Sequence, residues 1–283
     1  MKLEVKNVTK RFPGGKTALN NVSLTFEGPH IYGLLGRNGA GKTTLMNLIA
    51  GRLFPTQGKI LLDGEPVLEN DRALGKIYSM SETNYFPENM KVCEVFHRLN
   101  ELYPHFNMDY AVELGKKFDL DTLAKNNKLS TGYSSIVKLI AAMACGAPVI
   151  LLDEPVLGLD ANNRDLFYRE LIENYGNEPR LIIFSTHLIE EAAKLIDRAV
   201  IIKAGSIIQD EDVDTLTSGA YSVSGPAGAV DAFAAGKTVL GFDAIGGLKT
   251  VYLRGTPDSS GLPAGLELGR MSLQKLFIEL TNR

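Results

Sequence analysis

The nine residues Gly36-Arg37-Asn38-Gly39-Ala40-Gly41-Lys42-Thr43-Thr44 carry the residue types, in the spacing, that a chain of phosphates needs. Glycines at 36, 39 and 41 let the backbone wrap so that successive N–H groups, with those of Asn38 and Ala40, point inward at a triphosphate. Lys42 sets a mobile ammonium on the β and γ phosphates, and the Thr43 hydroxyl is a ligand for Mg²⁺. The elements that position this loop are legible on either side. The apolar run Ile31–Leu35 reads as a strand, and Leu45 to Ala50 as the start of a helix whose positive end faces the same anion. Strand, glycine-rich turn and helix in that order are the context a P-loop requires.

A second group answers the first. Val149-Ile150-Leu151-Leu152 is a continuous apolar run of the kind a central parallel strand shows, and it ends in Asp153-Glu154-Pro155. At the C-terminal end of such a strand Asp153 holds the Mg²⁺ of the nucleotide, and Glu154 points into the same site, placed to take a proton from an attacking water. Leu181 to Phe184 is another buried strand, running on through Ser185-Thr186 to His187. Leu129-Ser130-Thr131-Gly132-Tyr133-Ser134-Ser135 leads into an apolar helix expected over Ile136 to Cys145.

Length and composition limit what surrounds these groups. The 283 residues suffice for one large domain, or for one domain of about 220 residues with a small appendage. Apolar content of 45% and charged content of 22% are those of an ordinary globular chain, and a net charge of −3 gives no reason to expect nucleic acid as a partner. The two cysteines, Cys93 and Cys145, lie far apart and argue for a reducing compartment without disulfides. The most apolar window, Leu139 to Leu152, is shorter than a membrane span and is broken by Gly146 and Pro148. A cytoplasmic chain is expected, with any link to a membrane made through a partner.

Along the chain, residues 2–8 and 19–26 alternate as half-buried strands do, and Gly58 to Gly64 reads as a short strand ending in an Asp-Gly turn. Ile77 to Met80 is a further strand. Val92, Val95, Phe96 and Leu99, then Ala111, Leu114 and Phe118, recur at helical spacing, so residues 90 to about 128 are a helical insertion. From about 218 the texture changes to glycine-rich, alternating runs such as Lys249 to Leu253, closed by an amphipathic helix through Leu273, Leu276, Phe277 and Leu280. This segment reads as a small α/β appendage without a catalytic constellation.

The order of these motifs resembles that of the ATP-binding subunits of ABC transporters, over residues 1 to about 215. The resemblance implies an α/β fold of the P-loop NTPase, ABC ATPase type, with an antiparallel β-subdomain, a helical subdomain at about 86–145 and the C-terminal appendage. Residues 1–217 are then the nucleotide-binding domain and 218–283 an accessory domain. ATP and Mg²⁺ are the implied cofactors. By the same resemblance Phe12 stacks on adenine, Lys42, Thr43 and Thr44 contact phosphate and metal, and Asp153 holds the metal. Glu154 is the general base, His187 touches the γ-phosphate, Ser130 and Gly132 are the signature that completes a second subunit's site, and Asp160 belongs to the loop between the two sites. A groove formed by Tyr85, Phe86, Phe96 and Tyr103 is expected to receive the membrane partner.

Two departures stand out. Thr131-Gly132-Tyr133 replaces the family's two glycines and glutamine, and Glu82 takes the place of the loop glutamine, where it remains a ligand for Mg²⁺. The implied function is ATP hydrolysis that powers transport through a separate integral membrane permease, by ATP-driven pairing of two such subunits, identical or related. Export of a peptide, lipid or drug is favoured because the tail, ending Leu276-Phe277-Ile278-Glu279-Leu280-Thr281, looks like those of bacterial exporter ATPases. The subunit would then sit on the inner face of the membrane, held by the permease. The alternative is an ATP-gated, dimerising regulatory ATPase without transport.

Overall fold

The apolar run at 149–152 forms an interior strand of a sheet covered on both faces. The computed structural model of the chain describes residues 1–257 and 262–282, so the expected end of the accessory domain, Arg283, lies outside the described residues. Six strands form the larger sheet in the order Ser206–Asp212, Arg198–Lys203, His30–Leu35, Leu181–Ser185, Val149–Asp153, Ile77–Met80. All neighbours are parallel except the edge strand Ser206–Asp212. Side chains alternate between two cores: Val149 and Leu151 pack on one side, Ile150 and Leu152 on the other. The register pairs Leu34 and Asp153 with Ser185. The three segments that follow, the P-loop, Glu154 and Thr186-His187, therefore leave the sheet at one edge, where open α/β sheets bind ligands.

A second sheet, antiparallel, runs Thr17–Glu27, Lys2–Arg11, Gln57–Leu62, Glu65–Pro66. Its Asp63-Gly64 turn has φ of 50° and 85°, the two positive angles a two-residue hairpin loop demands. The helical insertion forms helices Val92–Leu102 and Met108–Lys117, whose apolar faces meet the helix Thr131–Ala144. That last helix begins five residues before the expected Ile136. Ser130 starts it: its Oγ accepts the Tyr133 N–H at 3.3 Å, and this cap outweighs the poor helix propensity of Thr131-Gly132.

The C-terminal segment adds a four-stranded antiparallel sheet in the order Val239–Ile245, Leu248–Arg254, Ala220–Pro226, Glu267–Arg270, with helix Ala227–Ala234 against it. Tyr221, Val223, Val230, Val251, Leu253 and Leu266 give it a small core of its own. The closing helix Leu273–Thr281 does not join that core. Leu273, Leu276 and Phe277 enter the large one, beside helices Ile189–Ala192 and Val213–Ser218. The appendage read from sequence thus ends on an element that bridges to the main body, since the closing helix also packs against strand Val239–Ile245, whose Leu240 lies in the same large core.

Polar bonds tie this helix to the sheet. Lys275 Nζ lies 2.9 Å from Asp243 Oδ2 and 3.0 Å from Glu279 Oε1, and the Tyr252 hydroxyl donates to Asp243 Oδ2 at 2.7 Å. The Lys275 hydrogen bond, then that of Tyr252, holds the Asp243 carboxyl below its ordinary value. A depressed carboxylate adds stability above its unfolded pKa and loses it as pH falls through the folded one. Asp243→Asn is therefore expected to be slightly less stable than wild type at pH 7, by less than about 1 kcal/mol for so exposed a pair. Denaturant unfolding at successively lower pH should show the difference shrink below the ordinary carboxylate range; a difference unchanged with pH would refute the role of this carboxylate.

Candidate functional site

The P-loop helix, Lys42–Ile49, opens without a side-chain cap, so its first N–H groups are free to meet a ligand. Gly41 precedes it at φ 116°, and a Cβ there would stand 2.7 Å from the Ala18 carbonyl oxygen, so both conformation and space require glycine. Lys42 is buried, and its Nζ donates to the Gly36 carbonyl at 2.7 Å and lies 3.9 Å from Glu154 Oε1. With the two ends of the loop pinned together, the backbone of residues 37–41 is left as an open cradle.

That cradle is one wall of an open cavity of about 410 Å³. Asn38, Gly39, Ala40, Gly41, Lys42, Thr43 and Thr44 line it, and Phe12, Glu82, Glu154 and His187 face them. Gly36 lies under the loop, its Cβ position closed by the Ile202 carbonyl oxygen. Asp153 is 4% exposed at the strand end behind Glu154, its Oδ1 accepting from Ser185 Oγ at 2.5 Å. Ser130, Gly132 and Asp160 lie outside the cavity. Ser130 rims a second one of about 370 Å³, with which the first shares Glu82, Glu154 and Leu157. Asp160 caps helix Ala161–Asn177, its Oδ1 accepting the Asn163 N–H at 2.9 Å.

Glu154 is held from two sides. It sits in the left-handed region at φ 47°, a conformation that costs a residue bearing Cβ about 1–3 kcal/mol and persists because its N–H donates to both the carbonyl and the Oγ of Ser185, each at 3.1 Å. Its Oε2 accepts from His187 Nδ1 at 2.8 Å. With Nδ1 as donor, Nε2 is the ring nitrogen left for a ligand. A carboxylate oriented by an imidazole, beside a lysine ammonium and a cradle of N–H groups, can activate water against a phosphoryl group.

Thr43, Glu82 and Asp153 offer only hard oxygen donors, which suits Mg²⁺. Among the described residues no group of three or more His, Cys, Asp or Glu could hold a metal alone. Mg²⁺ that accompanies a nucleotide is held by one or two carboxylates together with the substrate phosphates.

Sequence reasoning assigned no role to Lys16 and Arg37, which also line the cavity. The Phe12 N–H donates to the Lys16 carbonyl at 2.9 Å, closing the turn-rich loop that carries Phe12 and Lys16. It also missed why Gly132 is a glycine within its own chain: a Cβ there would stand 2.8 Å from the Gly158 carbonyl oxygen. Gly132→Ala is expected to lower stability by about 1–3 kcal/mol, as overpacking does, with ATP affinity of the single subunit unchanged. Denaturant unfolding and calorimetric titration check this, and a variant as stable as wild type would contradict it.

Known proteins share this sequence and shape. The profile of the family described as "ABC transporter" matches residues 19–157. The ABC transporter ATP-binding protein YtrB of Bacillus subtilis is 31% identical over 214 residues, 76% of this chain and 73% of that protein. The choline transport ATP-binding protein OpuBA of the same organism is 33% identical over 217 residues, 73% of this chain and 56% of that one. Among solved structures, the dimeric post-hydrolysis state of the ATP-binding cassette MJ0796, bound to ADP and Pi, matches with a TM-score of 0.66 at 25% identity, covering 74% of this chain and 98% of that one.

Proposed function

The chain belongs to the ABC transporter ATP-binding proteins, a family of ATPases, and from that premise we propose that it powers export of a peptide, lipid or drug-like substrate through a separate integral membrane permease. The observation that carries the reading is the cavity that gathers Phe12, residues 38–44, Glu82, Glu154 and His187 while leaving Ser130 and Gly132 outside. One chain offers cradle, base and metal-side groups around a cavity that is open on one side. A second copy, or a related subunit, facing it supplies Ser130 and Gly132 at the positive start of helix Thr131–Ala144. Asp160 lies in the loop between the two sites. ATP then joins the two subunits, and its hydrolysis lets them part.

In this reading Phe12 packs on the adenine, Lys42 and the loop N–H groups hold the phosphates, and Glu154 takes the proton of the attacking water. His187 keeps Glu154 oriented and presents Nε2 to the γ-phosphate. Mg²⁺ bound by Thr43, Asp153 and Glu82 supplies charge neutralisation at the β and γ phosphates. We divide the chain into 1–217, the nucleotide-binding unit, and 218–283, the accessory part.

No helix among the described residues is long and apolar enough to cross a membrane. Attachment to the inner face of the membrane is assigned to a groove of about 360 Å³ walled by Arg52, Tyr85, Phe86, Leu102 and Tyr103. Tyr85 and Leu102 are 65% and 73% exposed, unusual for residues of their type. Phe96, expected in this groove, is instead 1% exposed inside the core, since its helix turns that face inward. The outward direction rests on the likeness of the C-terminal segment to exporter tails.

The test is to isolate the chain carrying Glu154→Gln from its own cells in mild detergent with ATP. A protein with several membrane spans should come with it; soluble partners alone would refute the transport role. Transport direction is read with that complex in inside-out vesicles, where ATP-driven accumulation of its substrate marks export and ATP-driven loss marks import.

A further inference from the structure

Helix Thr131–Ala144 is apolar along most of its length, and one of its buried residues is a lysine. Lys138 is 8% exposed, and its Nζ donates to two successive backbone carbonyls, Ser81 at 3.0 Å and Glu82 at 2.8 Å. Four residues earlier, on the same face of the helix, the Ser134 hydroxyl accepts from Asn84 Nδ2 at 2.9 Å. Asn84 Nδ2 also reaches Asn126 Oδ1 at 3.0 Å, and Ser81 Oγ donates to the Thr83 carbonyl at 3.0 Å. The irregular segment after strand Ile77–Met80 is thus fastened to the helix at both ends of its turn.

Glu82 sits at the middle of this fastening. Its backbone carbonyl is held by Lys138, and the residue lines both the nucleotide cavity and the cavity at Ser130. In a loop without regular secondary structure, the direction of a side chain is set by the peptide planes on either side of its Cα. Lys138 fixes the carbonyls of both residues 81 and 82. A buried ammonium is expensive unless its donors are used. Burial lowers the pKa of Lys138, and the nearby Glu82 carboxylate opposes that shift. An apolar residue at 138 would suit the rest of the helix better, so packing alone does not account for a lysine there.

We propose that Lys138 is a positioning residue for the ATPase site, aiming the Glu82 carboxylate at the Mg²⁺–ATP side of the nucleotide cavity from the helix that carries Ser130 and Gly132. The role rests on the proposed function, in which Glu82 is a metal-side ligand. Residues that orient a ligand without touching the metal change metal affinity or activity by about 10- to 100-fold when removed. Lys138 acts through Glu82, so the two belong to one unit and their losses do not multiply.

The test measures ATP binding by the full chain in calorimetric titration, with Mg²⁺ present and with EDTA, alongside turnover. Lys138→Met is expected to weaken ATP binding about tenfold with Mg²⁺ and to leave it unchanged in EDTA. Glu82→Gln should likewise weaken binding with Mg²⁺ and cause no loss in EDTA, the double variant should lose no more than Glu82→Gln alone, and Lys138→Arg should restore most of the loss by keeping the donors. A structural role alone would move the EDTA affinity as well. The role of Lys138 is overturned if its Met variant shows an unmoved Mg²⁺ response, if the two losses multiply, or if Glu82→Gln is silent while Lys138→Met is not. A wild-type chain that binds no ATP would overturn the proposed function itself, and this role with it.

Discussion

Glu154→Gln is expected to cut steady-state ATP turnover by about 10²- to 10⁴-fold, the range for loss of a general base, while ATP binding is retained. Glutamine keeps the shape of the side chain and an oxygen able to accept the His187 Nδ1 hydrogen bond seen at 2.8 Å, so the local geometry survives. What it loses is the basicity of the carboxylate, which takes the proton. It also removes a negative charge 3.9 Å from Lys42 Nζ, next to where phosphates are to sit, which favours the anion. Single-turnover hydrolysis and ATP titration separate the two effects. An unchanged rate would refute Glu154 as the base. Equal losses of rate and affinity would instead make it a binding residue.

Phe277→Ala is expected to destabilise the nucleotide-binding body by about 3 kcal/mol, the lower end for emptying a buried phenylalanine position. Phe277 is 8% exposed and shares a core with Ile189, Ala192 and Ile196, just past the segment that carries His187. Thermal unfolding with and without Mg²⁺–ATP reads the effect, at roughly 2–4 °C per kcal/mol for a chain of this size. If the closing helix served only the appended sheet, the nucleotide-protected transition would stay where it is in wild type.

The sequence was most informative where one residue type does one job. Gly41, Lys42 and Thr43 could be read because backbone wrap, charge and hydroxyl each demand a particular side chain, and Val149–Leu152 because a doubly covered strand is apolar throughout. The hydrogen bond between His187 and Glu154 was hidden, since it depends on two strand ends meeting across a sheet rather than on spacing. Lys138 was hidden for a similar reason: helical periodicity finds a face but says nothing of which carbonyl a buried ammonium reaches. The amphipathic pattern of Leu273, Leu276 and Phe277 was visible, yet a pattern names no partner, and the face meets Ile189–Ala192, Val213–Ser218 and strand Val239–Ile245 together. Helix Thr131–Ala144 starts before the apolar run that marks it in the sequence, because its first turn is set by the Ser130 cap rather than by apolar residues.

Because Leu273, Leu276 and Phe277 complete the main core, the order in which the chain leaves the ribosome bears on when the nucleotide-binding body can become stable. Every strand of its sheet is synthesised first, and the apolar surface around Ile189 and Ala192 then stays uncovered while the whole appended sheet is made. At roughly 5–20 residues per second the delay lasts seconds, long for exposed apolar surface among other nascent chains. A message cut short within the appendage would therefore yield a polypeptide with every nucleotide-contacting residue present and an unsealed core, a natural substrate for chaperones and proteases.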